Sequence, residues 1–388
     1  AKKVRGEFHF FGPWRDPQGA LEEWLRVKDD LLAGRKPRAK GDPGGPTVEL
    51  VTNAYLTRKE QLYLSGDISK RTFEDAVKAG KRFATEFGKT RVVSDLQPDD
   101  FAAYRVKLAK TRRAVSLGNE IQQVRSILKF AYDEGLIASS IRFGAAFKKP
   151  SAKTLRIEGA RHGARDLSSE EIRTLLDAAD VHLKTMILLG INAGFGNNDC
   201  ATLRKAAMDL KEGWLSYARP KTGMSRRARL WPETVKAIRE SLKKRPQPKS
   251  DDDADIVFIT KYGNSWSKNT TGNPVSLVFR RLLNESGLHR SGIGFYSLRR
   301  TFETIAGETL DQPAVDLVMG HTPLGNDMAA RYRQRISDER LEKVAEHVRK
   351  WLFAKATNVP TKKTVAKKKS PVKDKNAPAK KIKKLTRH

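Results

Sequence analysis

Residues 295–332 read FYSLRRTFETIAGETLDQPAVDLVMGHTPLGNDMAARY. The run carries Arg299, the pair Gly320-His321 and Tyr332. In that order it offers a cationic clamp, a proton donor and a nucleophile, a set suited to chemistry on a nucleic-acid phosphodiester. Each residue also has a plainer reading: Arg299 a surface ion pair, His321 a helix-end cap, Tyr332 a half-buried packing residue. It is their order within a strongly basic chain that gives the set weight.

That charge sets the partner. The 388 residues include 76 Lys+Arg against 45 Asp+Glu, a formal net charge of +31. A pI near 10.2 calls for a polyanion. Charge alone does not say which nucleic acid. A membrane surface is the other polyanion, but no amphipathic anchor stands out and no run approaches about 18 apolar residues. The expected setting is cytoplasmic and nucleoid-associated, with double-stranded DNA as partner. The single cysteine, Cys200, excludes an intrachain disulfide and a multi-cysteine zinc site, and its apolar neighbours predict plain packing. No paired carboxylates fall near the basic residues in sequence, which argues against a metal-dependent nuclease. No metal and no cofactor are expected.

Upstream of the opening stretch, residues 165–353 mix helices with short strands. Ser168 and Glu171 form a capping box at a helix start. Residues 183–190 are apolar enough to be buried. Residues 213–217 and 227–230 read as two strands around the turn Lys221-Thr222-Gly223, and 256–259 as another short strand. The acidic run 251–255 lacks calcium-loop spacing and reads as solvated. Farther upstream, residues 1–36 form a small α+β unit: one aromatic-rich strand over 4–12, then a helix over 20–32. A basic linker, 37–46, leads to an all-helical domain over 47–146. Lys107, Lys110, Arg112 and Arg113 give that domain a basic face. A second basic linker, 147–164, adds Lys148, Lys149 and Lys153 as DNA contacts. From Lys355 the tail holds thirteen Lys or Arg against one Asp, and residues 354–388 are expected to be disordered.

These residues resemble the tyrosine recombinases of the phage integrase family, most closely forms from planctomycete bacteria. The resemblance spans residues 1–353. It implies an arm-binding-like first unit, a SAM-like core-binding helical domain and a mixed α/β, mostly helical, catalytic domain. It also implies metal-free DNA cleavage and rejoining through a 3′-phosphotyrosyl link, with self-association from dimer to tetramer on DNA. Tyr332 matches the family's nucleophile, Lys221 its hairpin lysine and His321 its Gly-His motif. Tyr296-Ser297-Leu298-Arg299 matches a His-x-x-Arg motif with Tyr296 in first place. The family's other arginine is missing, because Ala193-Gly194-Phe195-Gly196 puts Gly196 there. Loss of a charge-compensating group could cost on the order of 10³-fold in rate.

Arg226, Arg227 and Arg229, just past the lysine turn, are the candidate compensating cations. Arg204 would sit too far along the helix that follows Gly196. The alternative is a DNA-binding or architectural protein that has kept the fold and lost cleavage. Finally, the stripe Leu341, Val344, Val348, Trp351 and Leu352 predicts a terminal helix. The family resemblance favours its docking in trans on a neighbouring subunit, hinged at Ser337-Asp338-Glu339.

Overall fold

Residues 1–32, 34, 37, 45–161, 163–219, 222–267, 273–322 and 327–354 are described by the computed structural model. Lys221, most of the first linker and the tail from Lys355 onward lie outside the described residues. The architecture is multidomain and mainly α-helical with small β-sheets. Two compact units divide the chain, Ala1–Ala164 and Arg165–His388.

The first unit opens with a hairpin rather than the single strand expected. β1 (Lys2–Val4) pairs antiparallel with β2 (Glu7–His9). The chain reverses because Arg5 and Gly6 both take positive φ, +50° and +94°. Helix α1 (Pro17–Leu32) lays Val27 and Leu31 against Val4, and the rings of Phe11 and Trp24 meet edge-on beside them.

Four longer helices follow: α2 (Val48–Leu64), α3 (Lys70–Phe87), α4 (Pro98–Thr111) and α5 (Ala114–Asp133). Thr47 and Ser69 cap the first two, Pro98 opens α4, and Gly135 lies just past the end of α5 at φ +70°. Phe83, Phe87, Phe101, Ile121 and Ile127 fill the core between them. The second linker is not structureless. It holds α6 (Ala152–Ala160), capped by Ser151, with Glu158 accepting from the Ala114 amide. Helix α6 buries none of its residues, so no apolar stripe marks it in the sequence.

The second unit begins with α7 (Ser169–Ala178), whose capping box Ser168–Glu171 forms as expected. Next come the buried α8 (Val181–Asn192) and the short α9 (Asn197–Ala201). Because α9 ends at Ala201, Arg204 is not on the helix after Gly196. A three-stranded antiparallel sheet follows in the order β3 (Met208–Asp209), β4 (Trp214–Ser216), β5 (Arg227–Arg229). Residues 256–259 form no strand and make only isolated bridges, Arg204 to Ile256 and Ile259 to Ser265.

Helices α10 (Pro232–Lys243), α11 (Pro274–Glu285), α12 (Tyr296–Gly307), α13 (Gln312–Met319), α14 (Met328–Tyr332) and α15 (Asp338–Phe353) complete the unit. The trans reading of the last helix is corrected here. Leu341, Val344, Val348 and Leu352 are buried in the unit's own core. Trp231 Nε1 donates to the Ala345 carbonyl of α15 at 2.8 Å. Arg227, Arg340 and Arg349 tie the helix to its surroundings through Asp338, Asp311 and Glu233. Cys200 is buried as expected, and burial pushes its thiol pKa well up.

Candidate active site

Helix α12 positions Arg299. Leu298, Thr301, Phe302 and Ile305 anchor the helix in the core, and Arg299 goes inward with them, 1% exposed. A guanidinium in such a place needs acceptors. Nη1 donates to the Gly194 carbonyl and Nη2 to the Met319 carbonyl at 2.7 Å, while Nε has no partner. Burial, and then the nearby positive charge of Arg219, push the Arg299 pKa down. Gly194 is required where it stands. Its φ is +60°, and a Cβ there would run into the Met319 sulfur.

Arg299, Tyr296, His321, Arg300 and Glu303 line an open cavity of about 480 Å³. Tyr296, 46% exposed, lies within cation–π reach of Arg300, at 5.6 Å. His321 follows Gly320 at the end of α13. Its amide donates to the Asp316 carbonyl, and its Nδ1 lies 3.0 Å from Asp316 Oδ1 and 4.0 Å from Glu303 Oε2. A carboxylate on Nδ1 places the proton there in the neutral ring and leaves Nε2 to act as base. Glu303, Asp316 and His321 bring donor atoms within 4.8 Å of one another, so they are the described residues that could hold a cation. They also correct the reading that no carboxylates lie near the basic groups: α12 and α13 bring together what the sequence separates.

Tyr332 ends the short helix α14. It is 76% exposed and is not among the residues lining the cavity. Lys221 lies outside the described residues. Arg219 and Thr222 near it are described, however. Arg219 Nη1 and Thr222 Oγ1 both approach the Gly320 carbonyl, at 3.3 and 3.4 Å, so the hairpin tip borders the Gly320-His321 turn.

The three candidate compensating arginines separate by strand alternation. Arg227 and Arg229 face outward. Arg227 binds Asp338 at 2.6 Å and lies over the Trp214 ring. Arg229 bonds the Glu212 carbonyl and faces Glu342. Arg226 and Ala228 face inward, and Arg226 is 2% exposed. Its Nε donates to the Tyr217 carbonyl at 3.2 Å, and its guanidinium lies over the rings of Phe195 and Tyr217.

Arg226 Nη2 lies 3.2 Å from Asp199 Oδ1, close enough for an ion pair but not aligned as a hydrogen bond. Burial lowers the Arg226 pKa, and Asp199 opposes that shift. The other oxygen of Asp199 accepts from the Gly196 amide at 2.7 Å. One carboxylate therefore joins the position without an arginine to the arginine that enters from the hairpin. Asp199 and Arg219 carry no assignment from the sequence. The capping position of Asp199, three residues after Gly196, and the place of Arg219 at the hairpin tip were the available signals.

The candidate DNA contacts of the first unit divide as well. Lys110, Lys148, Lys149, Lys153 and Arg113 are exposed. Lys107 pairs with Glu86 at 2.6 Å. Arg112 turns to the buried Glu120 at 3.6 Å, a carboxylate already held by Arg82 and by the Tyr104 hydroxyl. Burial and that same carboxylate drive the Tyr104 phenol pKa upward.

Residues 165–334 match the sequence profile of the phage integrase family. No curated protein matches the chain. Among solved structures, the chain is similar to a lambda integrase dimer bound to a COC′ core site, at 17% identity and TM-score 0.56, covering 84% of this chain and 90% of that one. It is similar to a lambda integrase tetramer bound to a Holliday junction, at 16% identity and TM-score 0.56, covering 81% and 90%. It is also similar to the Tn1549 transposon integrase in complex with transposon right end DNA, at 13% identity and TM-score 0.57, covering 78% and 100%. At these identities the likeness is one of fold.

Proposed function

We propose, from the match of residues 165–334 to the phage integrase family profile, that the protein is a tyrosine recombinase that binds double-stranded DNA and exchanges its strands through a 3′-phosphotyrosyl intermediate. The observation that carries this reading is the fixing of Arg299 by two backbone carbonyls at the wall of a cavity that also presents His321 and Tyr296.

The roles follow from the chemistry. Tyr332 Oη attacks phosphorus; the Oη–P bond forms and the P–O5′ bond breaks. The phenolic proton passes to His321 Nε2, which Asp316 on Nδ1 leaves free to take it. Lys221 gives a proton to the departing 5′ oxygen. Arg299 and Tyr296 compensate charge that grows on the nonbridging oxygens. The basic residues of the first unit, Lys110, Arg113, Lys148, Lys149 and Lys153, hold the duplex backbone. Copies assemble on DNA, from dimer to tetramer.

The test is covalent trapping on nicked suicide duplexes drawn from a randomised pool. Wild-type protein should form a denaturation-resistant adduct, and Tyr332→Phe should form none. A second reading, a recombinase-fold protein that binds without cutting, is favoured by one observation: at Gly196, beside the Tyr296 ring, there is no cationic side chain, and the terminal nitrogens of Arg226 are covered. Salt-sensitive duplex binding with no adduct from any pool member would select that reading.

A further inference from the structure

We infer that Arg219 is the second phosphate-facing guanidinium of this site and that Arg226 is the buried positioning residue behind it. Together they supply from the hairpin the positive charge the chain lacks at Gly196. The inference rests on the strand-exchange reading above.

Two guanidiniums and the stem of a third arginine converge on two consecutive residues of one turn. Arg299 Nη2 donates to the Met319 carbonyl, and Arg219 Nη1 donates to the Gly320 carbonyl. The Arg226 stem lies so close to Gly320 that a Cβ there would sit 2.7 Å from its Cγ and Cδ and 3.1 Å from Arg219 Cβ. Gly320 has φ +62°, so the turn is open to both arginines only because glycine is there.

Among the described residues, Asp199 is the carboxylate ion-paired to one of these three arginines, and it also binds the Gly196 amide, while Glu303 and Asp316 face His321. Two of the cations are almost wholly buried and keep nitrogens without a hydrogen bond: Nη1 of Arg226, Nη2 of Arg226 with only its ion contact to Asp199, and Nε of Arg299. A protein interior tolerates such an excess of positive charge poorly. Arg219 has no ion-paired carboxylate among the described residues, so an anion is free to meet it.

The anion meets Arg219 rather than Arg226. The terminal nitrogens of Arg226 are covered by protein, so no phosphate reaches them in this arrangement. Arg219 is half-buried, and among the described residues its guanidinium makes one hydrogen bond, the long one to Gly320. A guanidinium has five N–H donors, so Arg219 can keep that bond and still present a fork to two oxygens. A phosphodiester, with two nonbridging oxygens on one phosphorus, matches that fork. Arg226 stacks on Phe195 and Tyr217 behind the turn and is held by Asp199. It fixes the turn and adds its field without touching the substrate.

The test uses the full-length protein and a suicide duplex captured by the wild type from the randomised pool. The duplex is made in two forms, with a phosphodiester or with a neutral methylphosphonate at the cleaved position. On the phosphodiester, Arg219→Ala should slow adduct formation by on the order of 10²-fold. On the methylphosphonate the deficit should shrink to below about threefold, because no second oxygen charge needs compensating. Arg219→Lys, which keeps the charge and loses the fork, should fall between. Equal deficits on both substrates, or none on the phosphodiester, overturn the assignment.

If wild-type protein traps nothing, the strand-exchange reading fails and the cradle is tested alone with inorganic phosphate. Phosphate should shift the Arg299 side-chain Nε–H resonance in the wild type and not in Arg219→Ala. No shift in the wild type overturns the cradle as well.

Discussion

At Gly320 one missing Cβ decides how two arginines pack. Gly320→Ala places a side chain at φ +62° and against the Arg226 stem. The left-handed backbone alone costs about 1–2 kcal/mol, and Arg226 must also shift. The expected result is a second unit with a lower melting temperature and loss of any adduct, with duplex affinity kept. Calorimetry and trapping check the two halves separately. Arg299, His321 and Tyr296 were legible in the sequence because spacing along one segment brings them to one cavity. Arg226 could be named only as one of three, although the period-two alternation that runs from Arg226 into β5 separates it from Arg227 and Arg229. Asp199 and Arg219 were illegible because their partners lie on other elements.

Helix α15 carries the clearest correction among the elements. Its apolar stripe is correct in the sequence, but a stripe does not say which core receives it. Here it is the unit's own. Leu341→Ala should therefore cost about 2–5 kcal/mol in the second unit's unfolding, and truncation after Arg335 should unfold that unit. A folded truncated protein that only fails to self-associate would restore the trans reading. The same helix should loosen in acid. Asp311, Asp338 and Glu233 are held below their ordinary values by hydrogen bonds from Arg340, Arg227 and Arg349. Depressed carboxylates stabilise fully above the ordinary values, 3.8 for Asp and 4.5 for Glu, and that stability is lost as pH falls through the lowered ones. All three are partly exposed, so each pair contributes under about 1 kcal/mol. Amide exchange in α15 should quicken below that range, and less so in Asp311→Asn, which has already lost its pair. Helix α6 escaped the sequence for the opposite reason: it buries no residue, so periodicity had nothing to mark.

For the molecule as a whole, charge is the property read most directly from the sequence. With a net charge of +31, most duplex affinity should be electrostatic and should fall steeply with salt. Replacing Lys148, Lys149 and Lys153 with alanine should reduce the slope of log affinity against log salt by about 1 for each phosphate no longer neutralised. Arg112→Ala should act otherwise, lowering stability through the buried Glu120 more than it changes that slope. The measurement that tests the central claim most directly is peptide mapping of the trapped protein–DNA adduct by mass spectrometry. The expected result is a nucleotide remnant on Tyr332, attached through a 3′ phosphate. A remnant on any other residue, or a 5′ linkage, would contradict the account.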